Sequence, residues 1–396
     1  MPSVSLKRPA RCELVVFDRY ATQGILPLLP EFRHVIFENR RTQLHLWALV
    51  KMFARLRCSW IDYCIAYLQL TGASVVVTGI DSNPLFYRLK HRLPGVSFVA
   101  VQNGIRGTGS PVKAGDLWTA LASCGAHRPS VDVVATFGTA HSNQFREHID
   151  CQTIEVGSTR SNAIPISEKP ATTIPIRIAL ISNFSGLPHV GVFDDGTVDE
   201  MAMYLGERPV TAREYFSADA HVASTLSRIC EREGWDFTVV GRRDASFGSE
   251  RRFFEEACRG SRFSFVPKTS EESSYVTLGM ADLVVSIDST LGYEMIARGQ
   301  RVLFVQARAE LLGGSESRQF AFGFPGTYPN EGEFWTRSLD AGHITAKMHE
   351  LLALSDTEWV AASRFVASEL MAYDSNNERL SALLNSLLTV RRRGGK

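Results

Sequence analysis

Asp288-Ser289-Thr290-Leu291-Gly292-Tyr293-Glu294 brings together side chains that could hold a phosphorylated sugar. The apolar run Ala281–Ile287 before it reads as a buried strand. Arg298-Gly299 and Val302–Val305 after it read as a helix end and a second buried strand. The spacing is that of a βαβ unit with its polar turn at the carboxyl end of a strand, where open α/β sheets take ligands. A helix opening at Ser289-Thr290 directs free backbone N–H groups and two hydroxyls outward, a setting suited to phosphate. Glu294, about one turn in, could accept hydrogen bonds from ribose hydroxyls. Asp288 and Gly292 complete the motif. The same pattern also describes any βα turn capped by Ser or Thr.

Three further segments end candidate strands in polar groups and glycine. Ile181-Ser182-Asn183-Phe184-Ser185-Gly186 could form an anion-binding nest, with Asp194 and Asp195 in the loop beyond. Gly241-Arg242-Arg243-Asp244 sets two cations where a leaving nucleotide would need its charge offset, or else a solvated arginine pair. Glu250 and Glu255-Glu256 follow on a charged helix and read as surface. In the first half, Thr78–Asn83 contains Asp81, which could serve as a base or merely as an N-cap or turn residue before Pro84. Gln102-Asn103-Gly104-Ile105-Arg106-Gly107 gathers a second polar cluster, in which Arg106 could pair with phosphate or carboxylate. Phe322–Gly326 and Gly332–Trp335 form an aromatic, glycine-rich loop suited to a sugar face or to an apolar core.

These segments need strands to carry them. Candidates in the first half are Glu13–Phe17, His34–Phe37, Ser74–Thr78, Val96–Val101, Val131–Thr136 and Thr153–Val156. Helices fit Thr42–Leu56, Trp60–Leu70, Pro84–Arg92 and His141–His148. Gly157–Thr173, rich in Ser, Thr, Asn and Pro, reads as a linker. A second alternation then runs through Ile176–Ile181, Ala218–Glu233, Asp236–Val240, Glu250–Cys258, Phe263–Val266, Leu283–Ile287 and Arg301–Val305, and Ala341 to about Val390 reads as helical. Alternation of this kind predicts parallel sheets covered on both faces. The expected domains are 1–160, a linker over 161–175, 176–360, and C-terminal helices with a basic tail over 361–396.

Composition narrows the function classes. Charged residues make up 21% of the chain and the formal net charge is +1, which gives no nucleic-acid footprint. The ten histidines form no HxxxH or HxH set, and the seven cysteines are scattered without a CxxC pair. No metal, cofactor or disulfide framework is therefore expected, and the cysteines suit a reducing cytoplasm. No apolar run reaches the roughly 18 residues of a bilayer span, and no signal peptide is visible at the N-terminus. The run Arg391-Arg392-Arg393-Gly394-Gly395-Lys396 is the candidate for peripheral contact with anionic lipid. No GxSxG, Walker A or GxGxxG sequence occurs, which argues against hydrolase, P-loop and nicotinamide chemistry.

Taken in order, Phe17-Asp18, Asn39-Arg40, Asp81-Ser82-Asn83 with Phe86-Tyr87, Gln102-Asn103-Gly104, Ile181–Phe184, Asp288–Glu294 with Arg298-Gly299, and Phe322–Pro325 with Phe334-Trp335 resemble a bacterial family of O-antigen or surface-carbohydrate biosynthesis proteins. The resemblance spans about residues 13–360. It implies a GT-B-like α/β fold, with two Rossmann-like domains facing across a cleft and C-terminal helices, of which the last crosses back to the first domain. The implied activity is metal-independent glycosyl transfer, with a nucleotide-sugar as co-substrate and a glycan or glycolipid acceptor. A more distant similarity is to transferases that use CMP-activated Kdo or sialic acid, whose Ser/Thr phosphate pair matches Ser289-Thr290; their His-Pro element has no counterpart on this segment.

On this reading Ser182, Asn183, Ser185, Asp288, Ser289, Thr290, Gly292 and Glu294 hold the donor, and Arg242 and Arg243 offset leaving-group charge. Gln102, Asn103 and Arg106 hold the acceptor and Asp81 is the base. The rivals are a nucleotide-sugar epimerase or hydrolase of the same fold, and a non-catalytic subunit of a polysaccharide assembly complex.

Overall fold

The structure, a computed structural model, describes the chain apart from residues 1–2, 20–21, 23, 30–31, 39–42, 108, 111–116, 124–127, 167–174, 185–200, 247 and 395–396. Two compact units divide it. One comprises residues 1–104, 117–163 and 372–396, the other 105–116 and 164–371. Of the segment anticipated as a linker, residues 167–174 lie outside the described residues.

The first unit is built on six parallel strands: β1 Leu14–Phe17, β2 His34–Phe37, β3 Val75–Thr78, β4 Ser97–Val101, β5 Ser130–Thr136 and β6 Asp150–Glu155. They lie in the order β2-β1-β3-β4-β5-β6. Their near-continuous Val, Leu and Phe content follows from burial on both faces. Val15, Phe17, Val76, Phe98 and Ala100 pack on one face with Tyr63, Tyr67 and Leu68 of helix α2, Trp60–Thr71. Leu14, Val16, Val75, Val77, Val99 and Val101 face the other way and meet Leu380, Leu384 and Leu388 of the C-terminal helix, Glu378–Gly394. Those leucines recur every fourth residue, so one stripe of the helix covers the sheet.

The returning segment is fastened by polar contacts. Asn162 Nδ2 donates to Asn377 Oδ1 at 2.9 Å, Asn377 Nδ2 to the carbonyl of Thr159 at 2.9 Å, and the backbone N–H of Asp374 to Asn162 Oδ1 at 3.1 Å. Gly157 sits at φ +72°, and a Cβ there would lie 1.9 Å from the carbonyl oxygen of Ala372. Gly157→Ala therefore combines a left-handed backbone with a collision against main chain, and should cost about 2–4 kcal/mol of stability. A fall in melting temperature is the readout; an unchanged melting curve contradicts it.

The helix anticipated over Thr42–Leu56 is shorter. Gln43–His45 instead pairs as a strand with Ser3–Ser5, and helix α1 runs over Leu46–Phe53.

The second unit carries another parallel sheet: β7 Arg177–Ile181, β8 Asp236–Val240, β9 Ser264–Val266, β10 Leu283–Ser286, β11 Val302–Val305 and β12 Trp335–Thr336. The order is β9-β8-β7-β10-β11-β12, so the winding reverses between β7 and β10. Helix α3 spans Ala212–Glu233, opened by a capping box in which Thr211 and Glu214 bond reciprocally and closed by Gly234 in the left-handed region. Shorter helices follow: α4 Gly248–Ala257, α5 Ser273–Gly279, α6 Thr290–Ala297 and α7 Ala307–Leu312. Met201–Leu205 pairs antiparallel with both Arg208–Thr211 and Gly109–Ser110. Among the described residues no helix is long and apolar enough to cross a membrane.

Candidate functional site

The winding reverses between β7 and β10, and doubly wound sheets bind ligands outside the carboxyl ends of their strands at such a point. Ser182-Asn183 leaves β7 and Ile287-Asp288-Ser289 leaves β10, so two of the anticipated anion segments meet at this point of the sheet. Ser289 is the N-cap of α6, its Oγ accepting from the backbone N–H of Leu291 at 3.3 Å, and Thr290 is the first helical residue. The helix mouth therefore presents its N–H groups at the strand ends.

Gly292 has a different role. A Cβ there would come within 2.7 Å of Ser286 Oγ and 2.8 Å of Phe304 Cζ, so its lack of a side chain lets α6 lie against β10 and β11.

A buried ionic group fixes the turn from below. Arg308, on α7 just after β11, is fully buried. Its guanidinium donates to both oxygens of Asp288 at 2.7 and 2.6 Å, pairs with Asp219 of α3, and donates from Nε to the carbonyl of Tyr215 at 3.1 Å. Its Cζ stands 4.1 Å from the centre of the Tyr215 ring. Asn183 closes the group, donating from Nδ2 to Asp288 and from its backbone N–H to Asp219 Oδ1 at 3.2 Å. Burial pushes the Asp219 carboxyl above its ordinary range, with Arg308 opposing. Burial also works against the Arg308 charge, but Asp288, Tyr215 and Asp219 outweigh it and bind its proton more tightly.

Glu250 is not the surface residue that its charged helix suggests. It is 1% exposed. Its Oε1 accepts from Ser182 Oγ at 2.5 Å and from the backbone N–H of Arg242 at 2.8 Å, while Oε2 accepts from that of Arg243 at 2.9 Å. Two strand ends thus have their donors satisfied by one carboxylate, which is why it is buried. Burial raises its proton affinity against those hydrogen bonds. The consequence for Ser182 is that its hydroxyl is turned inward. The side chains of Arg242 and Arg243 are exposed at the carboxyl edge of the sheet.

Glu294 is buried, and the Tyr275 hydroxyl donates to its Oε2 at 2.6 Å. The Arg298 guanidinium lies 5.3 Å from the centre of the Tyr275 ring and donates to the carbonyls of Ile164 and Pro165 at 2.8 and 2.7 Å. Ser185, Asp194 and Asp195 lie outside the described residues.

In the first unit, Gln102 is buried and both ends of its amide are engaged. Oε1 accepts from the backbone N–H of Phe137 at 2.8 Å, and Nε2 donates to the carbonyl of Gly104 at 3.0 Å. Asp81 is fully buried, with Oδ1 accepting from the backbone N–H of Asn103 at 3.3 Å. The N-cap before Pro84 is Asn83, not Asp81: its Oδ1 accepts from Leu85 at 3.1 Å. Asn103 is exposed and its Nδ2 donates to the carbonyl of Gly79 at 2.5 Å. Arg106 belongs to the second unit.

The aromatic loop forms core rather than a sugar platform. Phe322 and Trp335 stack at 4.3 Å, and both are buried with Phe334. Among the described residues no group of three or more His, Cys, Asp or Glu side chains is gathered as a metal site would need.

Asp219, Tyr215, Tyr275 and Arg308 escape motif reading. A signal exists for Asp219: it shares one helical stripe with Phe216, Val222, Ala223 and Leu226, and a carboxylate in an apolar stripe requires a partner.

Residues 99–388 match the model of a family described as "putative O-antigen biosynthesis protein". No curated protein matches the sequence. Among solved structures, the S. aureus MnaA–UDP co-structure is similar at 9% identity and TM-score 0.51, over 98% of this chain and 97% of that one. Sucrose-phosphate synthase from Thermosynechococcus elongatus gives 14% and 0.50 over 95% and 99%. A "putative UDP-N-acetylglucosamine 2-epimerase" from Listeria monocytogenes gives 10% and 0.52 over 95% and 96%. At these identities what is shared is the fold, of GT-B type, with two Rossmann-like units.

Proposed function

The chain belongs to the O-antigen biosynthesis family whose model it matches, and from that premise we propose that it is a glycosyltransferase moving a sugar from a nucleotide-activated donor to a surface-polysaccharide acceptor. The observation that carries the reading is the α6 mouth at the winding reversal, with Ser289 and Thr290 at its rim and Arg242 and Arg243 exposed on the same edge. Phosphate placed there meets backbone N–H groups and the positive end of the helix. The two arginines stabilise the charge that develops on the departing nucleotide, so the proposed reaction runs without a metal. Glu294, one of its oxygens held by Tyr275, receives the ribose hydroxyls. Asn183 and Asp288 hold the turn in shape. The UDP named in the MnaA co-structure is a ligand of the chemistry this mouth suits.

The acceptor side of the proposal rests on Asn103, Gln102 and Arg106, with Asp81 as base. For Asp81 to take a proton from an acceptor hydroxyl, the Asn103 loop has to lift off it; as it stands, Asp81 holds that loop. A cytoplasmic location, with the Arg391–Lys396 tail against the inner membrane face, belongs to the same reading.

The Listeria epimerase likeness favours a second reading, in which the same mouth serves a nucleotide-sugar epimerase. A thermal-shift screen against UDP-, GDP-, CMP- and dTDP-sugars tests both. One donor at about a hundred times its dissociation constant should stabilise the chain by about 2.7 kcal/mol. Release of an altered free sugar nucleotide without acceptor then selects the epimerase. If none of the four classes moves the melting curve, donor binding is refuted.

A further inference from the structure

Seven of the eleven large apolar side chains exposed among the described residues lie between positions 4 and 56. Leu46, Val50 and Phe53 fall at i, i+4 and i+7 on α1, with Trp47 beside them, while Ala48 and Met52 on the opposite side are buried. The helix therefore has two apolar sides, of which one is buried against the protein and the other is exposed. The parallel pairing of Ser3–Ser5 with Gln43–His45 brings the N-terminal segment alongside, and Trp47 Nε1 donates to the carbonyl of Leu6 at 3.1 Å. Leu6 is 72% exposed, Phe53 55% and Leu56, just past the helix, 95%. Exposed apolar side chains gathered on one helix face and the segment beside it mark an interaction site.

The charge around it has one sign. Lys7, Arg8 and Arg11 lie on the incoming segment and Lys51, Arg55 and Arg57 on or after α1, and residues 3–11 and 43–58 contain no Asp or Glu. Arg57 is engaged by Asp62 at 3.5 Å. Burial lowers the proton affinity of Lys51, and Arg55 and Arg8 lower it further, so these three cations share one neighbourhood.

We propose that this face of α1, with the adjoining N-terminal segment, is a docking surface for an anionic lipid bilayer. Trp47, Phe53, Leu6 and Leu56 enter the headgroup–acyl boundary while Arg8, Lys51 and Arg55 meet lipid phosphates, the arrangement of an interfacial helix. A second copy of this chain fits less well, because a two-fold contact would set the same cations against each other. The surface is distinct from the Arg391–Lys396 tail and does not depend on the donor reading.

Co-sedimentation of the full chain with extruded vesicles tests it. Vesicles with about 30% phosphatidylglycerol in phosphatidylcholine should bind at least about tenfold better than phosphatidylcholine alone, and about 0.5 M salt should remove most of that difference. The variants Trp47→Gln/Phe53→Gln/Leu56→Gln and Arg8→Gln/Lys51→Gln/Arg55→Gln, all at exposed positions but the half-buried Lys51, should each lose about tenfold in binding and melt like the parent. Arg391→Gln/Arg392→Gln/Arg393→Gln should keep most of the binding. No binding to the anionic vesicles overturns the proposal, as does equal binding by the first two variants. A lipid-free dimer that the aromatic variant dissolves overturns it too, by assigning the face to a second copy. None of these results bears on nucleotide binding, which the thermal-shift screen reads separately.

Discussion

Arg308→Met lowers the unfolding free energy of the second unit by about 3–5 kcal/mol, the cost of stranding a buried carboxylate. The side chain fills similar volume, so the loss reports charge more than packing. Arg308 lies between Asp219 and Asp288, and without it Asp219, 1% exposed, loses the cation it pairs with among the described residues. Urea titration is the measurement, and adding Asp219→Asn should recover part of the loss. The pH dependence has a definite sign. Burial already holds the folded-state pKa of Asp219 above its ordinary value, and losing Arg308 raises it further. A carboxyl whose folded pKa is raised contributes most below its unfolded pKa and loses that contribution as pH climbs through the folded one. The deficit of Arg308→Met should therefore be largest near neutral pH and shrink as pH falls toward the ordinary aspartate range. A loss below about 1 kcal/mol at neutral pH would show that the pair is not a structural element.

Glu294→Ala weakens donor binding by about 10–100-fold, the equivalent of about 1.5–3 kcal/mol for hydrogen bonds to a charged group. Isothermal titration with the donor selected by thermal shift is the measurement. Tyr275→Phe separates support from contact: it removes the hydrogen bond that fixes Oε2 and leaves the carboxylate in place. Its effect should be well under that of the alanine change. If Glu294→Ala binds like the parent, the carboxylate is not a ligand contact. If pathway output is also unchanged, the non-catalytic subunit becomes the better reading.

The strands were legible because a sheet buried on both faces demands runs such as Leu14–Phe17 and Leu283–Ser286, which resemble little else. The helix at Ser289-Thr290 was legible for a similar reason, since a hydroxyl N-cap behind a buried strand is a local signal. What stayed hidden was long-range. Arg308 lies twenty residues from Asp288 and eighty-nine from Asp219, and no local spacing announces that the three meet. Glu250 misled because its neighbours Arg251, Arg252, Glu255 and Glu256 disguise one buried carboxylate among charged surface positions. Gly292 answers to packing as well as to its motif, because its surroundings are Ser286 and Phe304, and no local spacing announces that. The start of α3 is readable from Thr211-x-x-Glu214, whereas the apolar stripe alone sets the boundary at Ala218, six residues later.

The Leu380–Leu384–Leu388 stripe also has a bearing on biosynthesis. Part of the first sheet's covering is encoded after residues 164–371, so a ribosome makes that whole stretch before it can supply the stripe. At about 5–20 residues per second, Leu14, Val16 and Val75 wait about ten seconds or more on the nascent chain for these three leucines, with only the early Ile25 and Leu29 to meet them. A stretch of valine and leucine left bare for that interval is a natural target for a holdase chaperone.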